Sequence, residues 1–301
     1  MTPSGFVLLD KIAGETSFKA LFPLKRVFCT KRVGHAGTLD LRASGLIIAA
    51  TGRATRLLPF IEAKDKCYTF RLHLGYETDT LEWDGEVVEQ DDAAPVIDRG
   101  ALEKVLPQFI GNINQIPPNY CAVKVDGRRA SDWMERGKNI ELKPRPIHIA
   151  SLKVIGEGVV TEGCSGKCFA TFDLECECSK GTYIRSLGRD LARALGTCGC
   201  VSMIRRHRIG GVTLEHAVRG DQLTRENRVP VDQVLDFPVL RLDESQMAVI
   251  RQGNWVPWKT PVENVGPEGH VFAANMDGEV LSFCHYEPGR ICPKIFLGED
   301  D

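Results

Sequence analysis

The chain has 301 residues, of which 43% are hydrophobic and 26% are charged, as is usual for a soluble globular protein. This length suits one large domain and one small one. No apolar run is long enough to span a bilayer, which excludes an integral helical membrane protein. The opening residues lack the basic region, apolar stretch and cleavage site of a secretory signal, so we expect a cytoplasmic protein.

The cysteine content has two interpretations. There are eleven cysteines, an odd number, and without a secretion signal we expect no disulfide framework. Close pairs suggest a metal site, but they lack CxxC spacing and a histidine partner in register. The pairs are Cys164 and Cys168, Cys176 and Cys178, and Cys198 and Cys200. We favour structural cysteines, since Cys176 and Cys178 alternate with acidic residues as in a half-buried strand, and predict no metal.

Charge is distributed unevenly along the chain. The formal net charge is −2, yet residues 21–60 hold seven basic residues and a single acid, Asp40. Residues 221–301 hold 7 basic and 14 acidic residues. A basic front and an acidic tail predict binding of a polyanion through one face, although a solvated surface explains a charge run equally well.

The first part of the chain predicts short strands joined by a loop. Gly5–Lys11 and Leu46–Ala50 are apolar runs typical of buried strands. Between them, Arg32–Asp40 is interrupted by glycines, which favours a loop over a helix or strand. Tyr68, Phe70, Leu72 and Leu74 then alternate with polar residues, which predicts another strand.

The remainder predicts helices, an arm and a β-rich tail. Ala101–Ile110 and Tyr183–Gly196 have helical spacing, each stopped by a glycine. Residues of about 118–149 are rich in proline, glycine and arginine, and we interpret them as a long functional loop or arm. The Pro230–Pro238 stretch predicts a domain boundary, with a helix at Glu244–Gln252 after it. We therefore expect domains at 1–235 and 236–301.

One loop and two later segments contain candidate chemistry. The loop Val33–Asp40 ends in a carboxylate surrounded by basic and neutral residues, which is typical of a nucleophile or base and also of a turn. Tyr183 and Arg185 begin the later helix, where an arginine can pair with a carboxylate or lie on the surface. Three arginines and a histidine in MIRRHRIGG can contact phosphates or remain solvated.

Several stretches in a consistent order carry a resemblance to a known family. They include GFVLLDKIAGETS, KRVGHAGTLDLRASG, TGRATRLLPF, KCYTFRLHLG, ETDTLEWDGEV, QIPPNYCAVKVDGRRA, CSKGTYIRSLGRDL and CPKIFL. Together they resemble the TruB family of tRNA pseudouridine synthases over about residues 5 to 297. The resemblance implies an α+β pseudouridine-synthase fold. Its mixed, mainly antiparallel sheet is flanked by helices, and a small PUA-like β domain lies at the C-terminal end.

The resemblance also implies roles for individual residues. Asp40 is implied as the catalytic aspartate, Tyr68 as the active-site tyrosine and Arg185 as the arginine that pairs with the aspartate. Substrate-binding positions are His35, which supports a flipped nucleotide, and Tyr183, Ile204 and Lys11. RNA-binding positions are Arg32, Lys124, Arg128, Arg129, Arg205 and Arg206. The chain departs from the family pattern at Ile12 and Leu41, where proline is usual, and near Glu15.

The activity implied is isomerisation of the uridine at position 55, in the T loop of tRNA. It requires no cofactor and no metal, and we expect a monomer that binds the tRNA T-arm without an obligatory protein partner or a membrane. Two alternatives share the fold: a tRNA-folding chaperone and a guide-RNA-dependent synthase. A carboxylate hydrolase of glycosides is a third, but it requires a second facing acid that the matched segments lack.

Overall fold

A computed structural model describes residues 4–91, 97–138, 140–156, 161–162, 168–266 and 268–298. Cys164, one of the candidate metal ligands, lies outside the described residues. The chain divides into two compact units. Unit 1 comprises residues 1–41, 45–63 and 211–301, and unit 2 comprises residues 42–44 and 64–210. The boundary predicted near residue 235 stays a prediction.

The described residues form short strands, six α-helices and several 3-10 turns. The first strands are β1 (Gly5–Lys11), β2 (Val33–Ala36), β3 (Ser44–Thr51), β4 (Lys66–Leu74), β5 (Tyr76–Thr78), β6 (Val87–Gln90), β7 (Gly111–Gln115), β8 (Lys124–Val125), β9 (Arg128–Arg129) and β10 (Arg145–Val154). The later strands are β11 (Thr161–Glu162), β12 (Cys168–Phe169), β13 (Thr171–Cys178), β14 (Gly199–Ile209), β15 (Val212–Thr213), β16 (Arg228–Val229), β17 (Val239–Arg241), β18 (Val256–Trp258), β19 (His270–Ala274), β20 (Val280–Glu287) and β21 (Gly289–Phe296). The helices are α1 (Phe22–Val27), α2 (Leu58–Glu62), α3 (Arg99–Val105), α4 (Ala130–Met134), α5 (Ile184–Ala194) and α6 (Glu244–Arg251). Within these described residues, no helix combines the length and apolarity needed to cross a membrane.

In unit 1, the N-terminal strands form an antiparallel group in the order β16, β1, β3, with β2 also paired to β3. The predicted strand Gly5–Lys11 is confirmed as β1, and Leu46–Ala50 is confirmed within β3. The loop prediction for Arg32–Asp40 is wrong over Val33–Ala36, which forms β2. Its register joins Val33 to Thr51 and Ala36 to Ile48, so pairing with β3 overrides the local preference of its glycine for a loop.

The C-terminal part of unit 1 contains the predicted β-rich region. Its sheet has the order β17, β19, β20, β21, β18, with one parallel pair, β17 and β19. The predicted helix at Glu244–Gln252 is confirmed as α6, which begins at an Asp243 capping box. Aliphatic side chains from the sheet and the helix share one core, including Leu242, Ile250 and Val271.

Aromatic rings also join this C-terminal sheet to α2 within unit 1. Phe60 of α2 lies 5.4 Å from Phe237, 4.9 Å from His270 and 5.2 Å from Phe283, measured between ring centroids. His270 and Phe283 are 5.0 Å apart. Edge-to-face and tilted pairs at these separations are favourable beyond the area they bury. The C-terminal sheet of unit 1 therefore packs directly against α2.

Unit 2 is built on an antiparallel group in the order β14, β4, β13, β10, β7. The predicted strand at Tyr68–Leu74 is confirmed within β4, and the predicted helix at Tyr183–Gly196 is confirmed as α5. A side chain at Gly188 would place a Cβ 2.2 Å from Val201, so glycine permits the close approach of α5 to β14. Mainly antiparallel strands packed with helices give the α+β class that the sequence predicts.

The arm, residues 118–149 apart from residue 139, was predicted as a long functional loop or arm, and it contains regular structure. Strands β8 and β9 form a small hairpin and α4 follows directly. Cys121, Ala130 and Leu142 form a buried cluster at its base, against which Tyr183 packs. Trp133 donates from Nε1 to the carbonyl oxygen of Val125 at 3.0 Å. The local pattern gave no signal for these elements, because few apolar residues suffice to fold this short segment, and the functional role of the arm stays a prediction.

His73 gives the fold of unit 2 a pH dependence. The ring is buried on β4, and Nε2 lies 2.7 Å from Ser202 Oγ. Burial, followed by the charge of Arg71, lowers the pKa of His73 to about 4, while Asp173 acts in the opposite direction. The unfolded chain binds a proton near pH 6.5, whereas the folded ring does not. Stability should therefore fall between pH 6.5 and pH 4, by about 3 kcal/mol from this residue at pH 4 and below.

Urea unfolding of the wild type and His73→Gln at pH 7 and pH 4.5 measures this effect. Glutamine retains a hydrogen-bonding side chain but cannot titrate, so its stability should change less between the two pH values. His216→Gln, at an exposed position, is the matched control and should behave like the wild type. Equal pH dependence in the His73→Gln variant and the wild type would contradict the prediction.

Candidate active site

Asp40 lies in the turn that follows β2, and the residue before it is fixed by Ser17. The Ser17 hydroxyl donates to the carbonyl oxygen of Leu39 at 3.0 Å and accepts from the Leu39 N–H at 2.9 Å. Both Ser17 and Leu39 are buried, and Asp40 is half-buried. Gly37 adopts a positive φ of 76°, which lets the chain turn between β2 and the aspartate. The backbone entering Asp40 is therefore held from within unit 1.

The residue after Asp40 is held as well. The carbonyl oxygen of Leu41 accepts from the Gly14 N–H at 2.8 Å and from Lys11 Nζ at 3.3 Å. Lys11 is buried and donates a second bond, to the carbonyl oxygen of Ile12 at 3.0 Å. Ile12 and Leu41 are the two positions where the sequence departs from a family proline, and both side chains are exposed. The Lys11 ammonium group thus bonds to the backbone at both positions where the family proline is missing. The substrate-binding role of Lys11 stays a prediction.

His35 and Arg32 lie on the same edge of unit 1. His35 is half-buried on β2, opposite Ala49 of β3. A Cβ at Gly34 would come within 2.8 Å of Leu58, so glycine allows β2 to pack against α2. Arg32 is exposed, and its Nε donates to Thr55 Oγ1 at 3.3 Å. The remaining donors of an exposed guanidinium are suited to phosphate contacts.

In unit 2, Tyr68 is buried between two ladder partners on β4. It lies opposite Cys176 of β13 and Arg206 of β14. Residues directly opposite each other in an antiparallel sheet share a face, so all three side chains are neighbours. The β14 register shifts between Ser202 and Arg205 and again between Arg206 and Arg208. Such bulges re-aim side chains and are common beside active sites.

Three residues of β14 carry predicted roles. Arg206 is only 1% exposed and is the ladder partner of Tyr68. Arg205 is half-buried and donates from Nη1 to Ser44 Oγ at 3.3 Å. Ile204 is buried. The RNA-binding roles of Arg205 and Arg206 and the pocket role of Ile204 stay predictions.

Arg185 is buried at the first turn of α5 and joins two distant segments. Its Nη1 donates to the carbonyl oxygen of Thr80 and its Nη2 to the carbonyl oxygen of Tyr120, each at 2.9 Å. Tyr120 precedes the hairpin of the arm. The planar, forked guanidinium suits such a two-point contact. The structure therefore gives Arg185 a positioning role that sequence reasoning did not identify.

Gln115 is a buried residue that the sequence analysis overlooked. Its Oε1 accepts from the Tyr183 N–H at 2.8 Å, and its Nε2 donates to the Tyr183 carbonyl oxygen at 3.1 Å. The amide thus binds both backbone groups of Tyr183, the residue that directly precedes α5. It lies in the matched QIPPNYC stretch, and that was the available signal.

Loss of the Gln115 amide should loosen the start of α5. We expect Gln115→Met to lower the free energy of unfolding by about 2 kcal/mol, because the Tyr183 N–H loses its acceptor and the Tyr183 carbonyl oxygen keeps only its bond from the Leu187 N–H. Chemical denaturation measures the change. Gln108→Met, at an exposed position, is the control and should have little effect. If Gln115→Met and Gln108→Met had the same free energy of unfolding, the bonds of Gln115 to Tyr183 would not stabilise the fold.

Tyr183 is half-buried between α5 and the base of the arm. Burial, together with its contact with Cys121, raises the pKa of Tyr183 to about 12, although Arg145 and Arg185 act in the opposite direction. Its hydroxyl therefore stays protonated at neutral pH. A neutral phenol can donate a hydrogen bond to a ligand, and it is a poor base under these conditions.

The hairpin of the arm exposes the predicted RNA-binding cations. Lys124 lies directly opposite Arg129, and Arg128 is adjacent. Like charges facing each other across strands are unfavourable, and a bound polyanion would relieve the repulsion. The guanidinium of Arg128 and the ammonium of Lys138 both lie over the Trp133 ring, 5.4 and 5.3 Å from its centroid.

Comparison with known proteins identifies the family of this chain. The model of the TruB family of pseudouridylate synthases, N-terminal domain, matches residues 25–184. The tRNA pseudouridine synthase B of Rhodococcus jostii (strain RHA1) is 38% identical over 98% of this chain and 93% of that protein. That of Caulobacter sp. (strain K31) is 39% identical over 83% of this chain and 80% of that protein. The chain belongs to the TruB family.

Solved structures extend the TruB assignment to the fold. The chain superposes on a structure titled "Structure of H/ACA RNP bound to a substrate RNA containing 2'-deoxyuridine" with a TM-score of 0.67. The match covers 98% of this chain and 85% of that one at 18% sequence identity. It confirms the predicted pseudouridine-synthase fold. The TruB resemblance inferred from the sequence motifs is confirmed by the family model and by the relatives.

The cysteines of this TruB-family chain are mostly buried. Cys176 and Cys178 lie on β13 as the alternating pattern predicted. Cys198 and Cys200 are also buried. Across the part of the chain that the structure describes, no three His, Cys, Asp or Glu side chains are arranged to hold a metal ion.

Proposed function

We propose that this protein converts the T-loop uridine of tRNA to pseudouridine, as the names of its relatives suggest. The observation that carries the proposal is the 38% identity to a tRNA pseudouridine synthase B over 98% of the chain. The structure supports it with a carboxylate loop held on both sides, through Ser17 and Lys11. Similarity over almost the full length of both proteins favours the same reaction rather than a shared domain alone.

The reaction is an isomerisation with no net change in oxidation state. The bond between N1 of uracil and C1′ of the ribose breaks, the base turns, and a bond forms between C5 and C1′. The proton on C5 then leaves to solvent and N1 takes up a proton, so atoms and electrons balance without a cofactor or a metal. Asp40 supplies the carboxylate, which either attacks the nucleotide or assists the departure of the base. Fixing its neighbours Leu39 and Leu41 holds the carboxylate in position before the substrate arrives.

Other residues serve binding and proton transfer in this proposal. Tyr68 accepts the C5 proton, directly or through water, or stacks on the ring. Tyr183, neutral at physiological pH, donates a hydrogen bond to the extruded base. His35 supports the flipped nucleotide, because a stacked base cannot reach a side chain in the loop. Arg185 orders the segments at Thr80 and Tyr120 around the start of α5.

The RNA is bound through exposed cations of both units. Arg32 on the edge of unit 1 and Lys124, Arg128 and Arg129 on the arm contact phosphates in this proposal. Such contacts position a folded loop without reading its sequence. In this proposal the protein acts as a monomer in the cytoplasm, without an obligatory protein partner.

A tritium-release assay tests the proposal. The purified protein is given an unmodified tRNA transcript with tritium at uridine C5, without guide RNA or other proteins. We expect one equivalent of tritium per tRNA, with the product mapped to the T loop. Tight tRNA binding without release would instead support a chaperone, and release that requires a guide RNA would support the guide-dependent branch. A transcript with its T-loop uridine replaced by cytidine is the matched control and should release no tritium above background.

A further inference from the structure

Two exposed phenylalanines form a pair on the surface of unit 1. Phe18 is 60% exposed and Phe22, the first residue of α1, is 49% exposed. Their rings meet edge to face with centroids 5.4 Å apart and an interplanar angle of 80°. Aromatic side chains bury large areas in most cores, so an exposed pair points to a binding surface.

A cation completes this aromatic pair. Lys25 Nζ lies 4.8 Å from the centroid of Phe18 and 5.1 Å from that of Phe22. Residues 16–39 hold five basic residues and no acid, and two of them, Lys19 and Arg26, flank the pair and are exposed. The surface therefore combines ring faces with positive charge, the combination used by proteins that stack bases while neutralising phosphates.

The pair is also tied to the catalytic loop. Phe18 directly follows Ser17, whose hydroxyl makes both hydrogen bonds to the backbone of Leu39. Leu39 directly precedes Asp40. Phe18 and Asp40 are thus each adjacent in sequence to one member of a buried, hydrogen-bonded pair. An RNA with its target nucleotide at Asp40 therefore brings its flanking nucleotides close to the pair.

We propose that Phe18 and Phe22 stack on a base flanking the target uridine of the substrate RNA, with Lys25 contacting the adjacent phosphate. The proposal rests on the proposed function and extends it to a base-binding site. Extruding the target base leaves its neighbours partly unstacked, and an aromatic platform compensates for that loss. Self-association through the pair is disfavoured, because two copies would bring together two sets of Lys19, Lys25 and Arg26.

Alanine variants measure the stacking site. We expect Phe18→Ala/Phe22→Ala to weaken tRNA binding about tenfold, from the free energy of stacking one base on an aromatic side chain. Phe22→Tyr, which retains a ring, should stay within about threefold of the wild type. Trp255→Ala, at a position that is 55% exposed in the C-terminal part of unit 1, is the matched control and should bind normally. Thermal unfolding should be unchanged in all of these variants.

Abasic substrates locate the base. T-arm RNAs that lack one base on either side of the target uridine are titrated against the wild type and the double alanine variant. Removal of the stacked base should weaken binding to the wild type about tenfold and leave binding to the variant nearly unchanged. If the losses of affinity from base removal and from the double alanine substitution simply added at every flanking position, the proposal would be overturned.

The remaining outcomes separate this inference from the proposed function. If the wild type bound tRNA without forming pseudouridine, the proposed function would be overturned. The affinities of the variants for tRNA would still test the stacking site. Normal turnover and unchanged affinity of the double variant would overturn the stacking site alone. A change in sedimentation of the free double variant, with RNA affinity unchanged, would assign the pair to self-association and overturn the proposal.

Discussion

Replacement of Asp40 by asparagine should reduce pseudouridine formation at least about a thousandfold and leave tRNA binding nearly unchanged. An amide has the shape of the carboxylate but cannot attack the substrate or stabilise the cleaved intermediate as an anion does. The bonds to Leu39 and Leu41 use backbone atoms, so they survive the substitution. Single-turnover tritium release and filter binding with the same transcript measure the two effects separately.

Asp221→Asn is the matched control for this experiment. Asp221 is exposed in unit 1, and its substitution removes the same charge from the protein. Turnover of the control should equal that of the wild type. If Asp40→Asn retained more than a tenth of wild-type turnover, the carboxylate would not be the catalytic group. Lost binding together with lost turnover would mean that the substitution disturbs the loop rather than the chemistry.

Replacement of Arg185 by methionine should lower both stability and turnover. The side chain is 4% exposed, and its loss leaves the carbonyl oxygens of Thr80 and Tyr120 without their guanidinium donors. We expect the free energy of unfolding to fall by about 3 kcal/mol, since two hydrogen bonds from a charged donor are lost and each contributes about 1.5–3 kcal/mol. Chemical denaturation measures the stability, and tritium release at a temperature where the variant is folded measures turnover.

Two further variants interpret the Arg185 result. Arg185→Lys retains the charge, but one ammonium cannot reproduce a planar two-point contact, so it should recover only part of the stability. Arg290→Met removes an exposed arginine that is paired with Glu287 and should leave stability nearly unchanged. Unchanged unfolding free energy for Arg185→Met would show that the two carbonyl contacts do not matter.

The elements that the sequence predicted well are those in which local pattern and burial agree. The apolar run of β1 and the helical spacing of α5 each specify one structure, and both form where expected. The segment Val33–Ala36 was misassigned, because its strand depends on pairing with β3 rather than on its own pattern. The regular structure of the arm could not be predicted from its local sequence for a similar reason. It depends on the hydrogen bond of Trp133 and on the buried cluster at Cys121.

The candidate site shows the same division. Asp40 could be singled out by its position at the end of a glycine-containing loop in a basic segment. The partners that hold the site could not, because they are separated along the chain. Gln115 lies 68 residues from Tyr183, and Tyr120 lies 65 residues from Arg185. Only the folded chain reveals these bonds, and residue types alone would not distinguish Gln115 from any other buried amide.

The bonds around Lys11 have a consequence for the behaviour of the Asp40 loop on heating. A proline ring restricts the backbone covalently and therefore at every temperature. Here the restriction at Ile12 and Leu41 comes from hydrogen bonds of Lys11 and Gly14, which can open locally while the strands stay folded. Heating should therefore free the backbone beside Asp40 first, so that, if Asp40 is the proposed catalytic residue, turnover declines below the midpoint of global unfolding. Calorimetry alongside initial rates would show that separation as heat-reversible inactivation of a protein that is still folded.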